Sequence, residues 1–306
     1  VSIPTTPKGR RWIHLTWIIP VALVLVVAVV FAARGLRATV LEDFIRQYPG
    51  TSELPDGTPV GITPWQGWQH FLNSFFLVFI VRSGWELRKK QRPAAFWTRR
   101  NDGRLRTKGA PVRIGVPVWF HLAVDVLWVA NGVVFIVLLF VTGLWARLVP
   151  TSWDVIPNAI SAGIQYASLD WPTENGWVNY NALQLLTYFI TVFIAAPLAL
   201  ATGVRLAPGF AAKLRPLDHI VPLGLTRTVH FAVMIWFVGF TITHVTLVLA
   251  TGALRNLNHM YAARDEVSWW GLATFAGSLV LVVVAWFALT PKRQADVAEL
   301  TGTVRR

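Results

Sequence analysis

Seven histidines stand in this chain of 306 residues, and four of them have positions that could do chemistry. His230 and His244 are fourteen residues apart. On an α-helix that is about 40° short of four full turns, so both rings leave nearly one face, about 21 Å apart along the axis. One helix can thus offer one imidazole to each of two stacked sites. His70 and His121 lie in other apolar stretches and can supply the partners. Two imidazoles per site is what six-coordinate haem iron needs, and iron with no open position suits electron transfer rather than oxygen binding. The chain has no cysteine, which excludes disulfides, zinc thiolate sites and iron–sulfur ligation by its own residues.

The elements that must position these rings are membrane helices. Hydrophobic residues make up 54% of the chain and charged ones only 14%, well below the roughly one quarter charged in a soluble domain. Mean hydropathy is +0.50. Six stretches are apolar over the roughly 20 residues a helical crossing needs: 12–34, 66–87, 115–148, 180–204, 226–251 and 268–290. They run continuously apolar without period-2 alternation, which predicts helices rather than barrel strands. The first, preceded by Lys8, Arg10 and Arg11, has an apolar core longer than the roughly 7–15 residues of a signal peptide, so a retained span is expected. The expected fold is an all-α integral membrane protein, a six-helix transmembrane bundle with a four-helix di-haem core. Its parts are an N-terminal span and outer loop (1–64), the core (65–262), and a last span with a tail (263–306).

The net charge of +13 sits in short connections, where it encodes topology rather than a nucleic-acid surface. Arg88, Lys89, Lys90, Arg92, Arg99, Arg100, Arg104, Arg106, Lys108 and Arg113 fill one connection; Arg205, Lys213, Arg215 and Arg227 another; Lys292, Arg293, Arg305 and Arg306 follow the last span. The alternate connections are mixed or acidic, with Glu42, Asp43, Glu53 and Asp56, then Asp154, Asp170 and Glu174, then Asp265 and Glu266. Every basic segment falls on one side, which predicts a multi-pass protein of the cell (inner) membrane with both termini cytoplasmic. The rings then pair by depth. His70 and His244 lie near the outer ends of their spans, His121 and His230 near the cytoplasmic ends. Buried ionisable groups are costly in lipid and commonly functional.

Other residues have lesser roles in this reading. Asp125, one turn from His121, either orients that ligand through its ring N–H or faces a solvated crevice. His14 is expected at the interface, His219 in solvent, and His259 in a loop or at a quinone site. Trp153, Tyr166, Trp171, Trp177 and Tyr180 read as an interfacial aromatic belt, with a short amphipathic surface helix within 149–170. Arg82, Arg113 and Arg227 could pair with haem propionates or snorkel to phosphates.

Three stretches resemble a known family: Trp68-Gln69-His70 followed by Ser83-Gly84; Tyr180-Asn181-Ala182-Leu183-Gln184; and Arg227-Thr228-Val229-His230 with His244 and Thr251-Gly252. Together they resemble the di-haem cytochrome b subunits of respiratory formate dehydrogenases and nickel–iron hydrogenases, over roughly residues 65–262. The resemblance implies two haem b groups held by His70 with His244 and by His121 with His230. It implies an iron–sulfur, molybdenum or nickel–iron partner subunit beside the second pair, and menaquinone or another quinone beside the first. Asn181 takes the position of the family's quinone-binding asparagine, with Tyr180, Gln184, Arg227, Arg255 and His259 as further quinone or propionate candidates. The additional N-terminal span inverts this core relative to usual members, placing the partner on the cytoplasmic face and the quinone at the outer leaflet. A stand-alone transmembrane reductase with an external acceptor, and a haem-free histidine-dependent transporter, are the competing readings. The chain has no nucleotide-binding glycine loop, catalytic triad or flavin motif, so substrate catalysis is expected in a partner.

Overall fold

The computed structural model describes residues 9–89, 91–102, 111–172, 175–211 and 214–306; side chains are described from Trp17 onward, except those of Ala211 and Leu217. Lys8, Lys90, Arg104, Arg106, Lys108, Glu174 and Lys213, and the side chains of Arg10, Arg11 and His14, lie outside the described residues. Among the described residues, five helices are long and apolar enough to cross a membrane: Trp17–Ala38, Val116–Val141, Ala182–Leu206, Leu223–Ala250 and Trp270–Ala288. Only 6% of the first and last of these is buried within the protein, an exposure that lipid tolerates and water does not. The chain is a multi-pass helical membrane protein.

In chain order, α1 (Gly9–Ala38) leads to the short α2 (Glu42–Gln47) and then to α3 (Pro64–Arg88). Strands β1 (Phe96–Arg99) and β2 (Arg113–Gly115) precede α4 (Val116–Val141). After α5 (Val155–Ala167), one long helix forms in three parts: α6 (Ala182–Phe189), a π-helical turn over Ile190–Ala195, and α7 (Ala196–Leu206). The short α8 (Pro208–Ala211) leads to α9 (Leu223–Ala250), α10 (Ala253–Ala262), α11 (Trp270–Ala288), α12 (Pro291–Ala298) and β3 (Gly302–Arg305). The π turn has a local cause. Pro197 has no N–H for the Phe193 carbonyl and its ring crowds that oxygen, so the preceding turn widens.

The expected second span, 66–87, is a 25-residue helix, but it is not among the five apolar ones. Gln66, Gln69, His70, Asn73, Arg82 and Glu86 dilute its hydropathy. These polar groups mostly have partners: Asn73 Oδ1 accepts from Trp128 Nε1 at 2.6 Å, and Arg82 pairs with Glu86. The expected third span, 115–148, ends earlier, at Val141. Gly143 turns the chain at φ +75°, a conformation without penalty for glycine, and Leu144–Arg147 follow as a 3₁₀ turn. Helix α5 is the amphipathic surface helix: Val155, Ala159 and Ala162 are buried and Ile156 and Ile160 exposed.

The chain is mostly helical, as expected, with one small addition: a three-stranded antiparallel sheet in the order β2-β1-β3. It pairs the last residues of the chain with the basic 88–113 segment; Trp97 sits opposite Val304 and donates from Nε1 to the Ala298 carbonyl at 3.1 Å. The sheet packs through Ala95, Val116 and Ala295 against the start of α4 and α12. This basic end also holds the end of α3, where Arg82 donates to the carbonyls of Trp286 (2.7 Å) and Leu289 (3.3 Å).

Candidate functional site

Four helices meet in two layers. Contacts Asn73–Trp128, Phe79–Phe120 and Ser83–His121 set α3 antiparallel to α4. Contacts Tyr188–His244, Thr191–Trp236 and Thr202–His230 set α6–α7 antiparallel to α9. With α9 central, its two histidines reach the two layers about 21 Å apart. In the layer nearer the basic end, the rings of His121 and His230 have centroids 6.4 Å apart at 80° between planes. In the other layer His70 and His244 stand 6.2 Å apart at 51°. Both depth-derived pairs are therefore brought together.

The spacing has a chemical meaning. Two imidazoles on opposite sides of one first-row metal, each bond about 2.0–2.1 Å, have ring centroids roughly 6 Å apart. Among the described residues no group of three or more His, Cys, Asp or Glu side chains gathers around a metal position. Each layer therefore offers two imidazoles to such a position, with no third such side chain gathered there among the described residues.

Hydrogen bonds fix the ring tautomers in the layer near the basic end. Ser83 Oγ donates its single proton to the Phe79 carbonyl (2.7 Å), one turn back on α3. With that proton on the carbonyl, its 2.7 Å contact with His121 Nδ1 is met by an N–H on the ring. Thr202 repeats the device on α7: its hydroxyl donates to the Leu198 carbonyl (2.6 Å) and accepts from His230 Nδ1 at 2.8 Å. Both rings are left with Nε2 as a bare lone pair, the ligating form. Gly84 and Gly203 border the two rings: a Cβ there would lie 3.4 Å from His121 Cε1 and 3.6 Å from His230 Cε1, ordinary contact distances. Asp125 does not hold a ring N–H, as one expectation had it; Ser83 does. Asp125 Oδ2 instead lies 3.7 Å from His121 Nε2. A bare lone pair facing a carboxyl oxygen calls for a proton or a positive centre between them, and a ligated metal would provide one.

The far layer is held differently. His244 stacks on Phe240 (8° between planes, centroids 5.6 Å) and lies 3.5 Å from the Tyr188 hydroxyl through Nδ1. His70 rests on the edge of Tyr261, and its buried Nδ1 has no hydrogen-bond partner. Between the layers, Val233, Phe237 and Ala195 pack with Leu77, Trp128 and Val229 into an apolar plug.

The remaining candidates scatter. Asn181 and Gln184 form a capping box at the start of α6: Asn181 Oδ1 accepts from the Gln184 N–H at 2.9 Å, and Gln184 Oε1 accepts from the Asn181 N–H at 3.2 Å. Asn181 also donates one N–H to the Tyr166 hydroxyl (2.9 Å), so both ends of its carboxamide are engaged. Tyr180 packs edge-on against Tyr188. Arg227 and His219 are exposed. His259, 3% exposed, lies against Trp177 and is bound through Nε2 to Asp265 at 2.8 Å; Arg255 binds the same carboxylate at 2.9 Å. Hydrogen bonds from Asn175 and then His259, with the Arg255 guanidinium beside them, hold the Asp265 carboxyl down at about 2. Trp153 is 88% exposed, as an interfacial residue would be, whereas Tyr166, Trp177 and Tyr180 are packing residues. Arg82 binds carbonyls and Arg113 lies over the Phe96 ring.

Sequence reasoning missed Ser83, Thr202 and Tyr188 as ring partners. The signal was the fourteen-residue interval from Tyr188 to Thr202, matching that from His230 to His244. These features define a multi-pass helical membrane protein carrying two stacked imidazole pairs. No protein-family model, curated protein or solved structure matches the chain.

Proposed function

We propose that this chain is a membrane electron carrier with two b-type haems, one between His121 and His230 and one between His70 and His244. The observation that carries the reading is the pair of imidazole layers strung along α9, each with its rings about 6 Å apart. A haem in each layer would supply a one-electron iron couple. The protein's part is to present two neutral nitrogens per layer, to orient the rings through Ser83, Thr202 and the Phe240 stack, and to exclude water with the plug around Phe237 and Trp128.

Helix α3 is the sixth crossing in this reading. Its 25 residues span about 38 Å, Asn73, Arg82 and Glu86 are paired, and it contributes to both layers through His70 and Ser83. The basic end, with its sheet and arginines, would face the cytoplasm and receive a redox partner subunit of the iron–sulfur, molybdenum or nickel–iron class. A quinone would exchange electrons beside the far layer. Asn181 would have to leave its cap to bind that quinone, so Tyr188, Tyr261 and His259 are the nearer candidates.

The test is a reduced-minus-oxidised spectrum with haem stoichiometry on the purified chain and on His70→Ala and His230→Ala. Two haems, with a different one lost from each variant, are expected. A chain that takes up no haem would overturn the reading.

A further inference from the structure

The two layers differ in how their rings are held, and that difference bears on their midpoint potentials; the inference rests on the haem reading above. We infer that the Ser83 and Thr202 hydroxyls lower the midpoint potential of the layer near the basic end, making it the lower of the two.

The chemistry is that of a ligand's other nitrogen. An imidazole that donates Nδ1–H to a fixed acceptor becomes a more basic ligand at Nε2, and a stronger donor favours oxidised over reduced iron. Both rings of the layer near the basic end have such an acceptor, at 2.7 and 2.8 Å, and in each case the acceptor's own proton is already committed to an i−4 carbonyl. In the far layer His70 Nδ1 has no partner among the described residues and His244 Nδ1 has one only at 3.5 Å, the outer limit of a hydrogen bond.

Nearby charges act in both senses. The Asp125 carboxyl, close to His121, favours the more positive oxidised state when ionised. Arg88, over the Phe231 ring, and Arg227, three residues before His230, act the other way but are exposed, where solvent and salt screen them. Arg205, one turn from Thr202, is paired with Asp218, and Arg82, beside Ser83, with Glu86.

A potentiometric titration of the haem-loaded chain, followed optically, decides the matter. Two components are expected, and the one that His121→Ala removes should have the lower midpoint. Ser83→Ala and Thr202→Ala should each raise the midpoint of that component and leave the other in place, while Ser83→Thr and Thr202→Ser keep it low. Should the alanine variants not accumulate, the wild-type order is still assignable: the more nearly perpendicular ring pair (80° against 51°) gives the more anisotropic ferric paramagnetic signal. Two haems with the lower midpoint in the His70 layer, or alanine variants that keep both haems and shift neither, would overturn the inference while leaving the haem reading intact. Absence of haem would overturn both.

Discussion

Arg82 on α3 lies over the indole of Trp286 on α11, 4.4 Å from the ring centroid, and donates to that residue's own carbonyl at 2.7 Å. One guanidinium thus closes the end of α11, where the last carbonyls have no helical partner, and pins it to α3. A lysine cannot fork onto two carbonyls and a ring at once. Arg82→Ala should cost about 1.5–3 kcal/mol, the range for hydrogen bonds to charged groups. Arg82→Lys should recover less than half of that, read as the melting temperature in detergent. A lysine variant as stable as the parent would show the fork to be idle.

The pairing of the rings can be separated from the mere presence of haem. His70→Ala and His244→Ala should remove the same spectral component, and His121→Ala and His230→Ala the other. The double variant His70→Ala/His244→Ala should keep one complete haem. Loss of one shared component by His70 and His230 variants would mean that the layers are wrongly assigned.

At the far end the ion cluster makes a pH prediction. Asp265 titrates at about 2 in the folded chain, below the roughly 3.9 of a free aspartate. A carboxyl depressed on folding stabilises the native state above its unfolded value, and that stabilisation is lost as pH falls through the folded one. Asp265→Asn should therefore melt below the parent at pH 6, with the gap closing between about pH 4 and pH 2. A gap that is unchanged over that interval would rule out the carboxylate as its source.

Asn181 invites a test between cap and ligand. Removing an N-cap side chain costs about 0.5–2 kcal/mol. Asn181→Ala should show that loss in the chain without quinone, and Asn181→Asp, which still accepts the Gln184 N–H, should restore most of it. Equal melting temperatures for parent and alanine variant would return Asn181 to the list of ligand-binding residues.

Much of this arrangement was legible in the residues themselves. The spacing of His230 and His244 projects both rings from one helix face by geometry alone, and lipid makes a purely structural role for them costly. The basic connections likewise marked the end where the sheet forms. What could not be read has physical reasons. Serine and threonine inside apolar helices ordinarily turn back to the i−4 carbonyl; Ser83 and Thr202 do so too, and only the neighbouring helix reveals the second bond. β1 finds β3 some two hundred residues away, and four-residue strands carry too little alternation to announce themselves. The polar residues of α3 lower its hydropathy because their partners lie on other helices. Asn181-x-x-Gln184 is legible as a capping box, a local reading that the family resemblance had obscured.

The π turn at Ile190–Ala195 sits between Tyr188 and Thr202, and so between the two layers. A wide turn holds a residue that an α-helix of the same rise would not, and it sets the angular phase of everything after it. Deleting one residue from this turn should let it close to a plain α-helix of the same rise, with Thr202 still facing His230 and Tyr188 still beside His244. The same deletion in the α-helical stretch between Ala196 and Thr202 would turn Thr202 away by about 100°, so the wide turn is the one place between the two layers where a residue can be lost without re-aiming either.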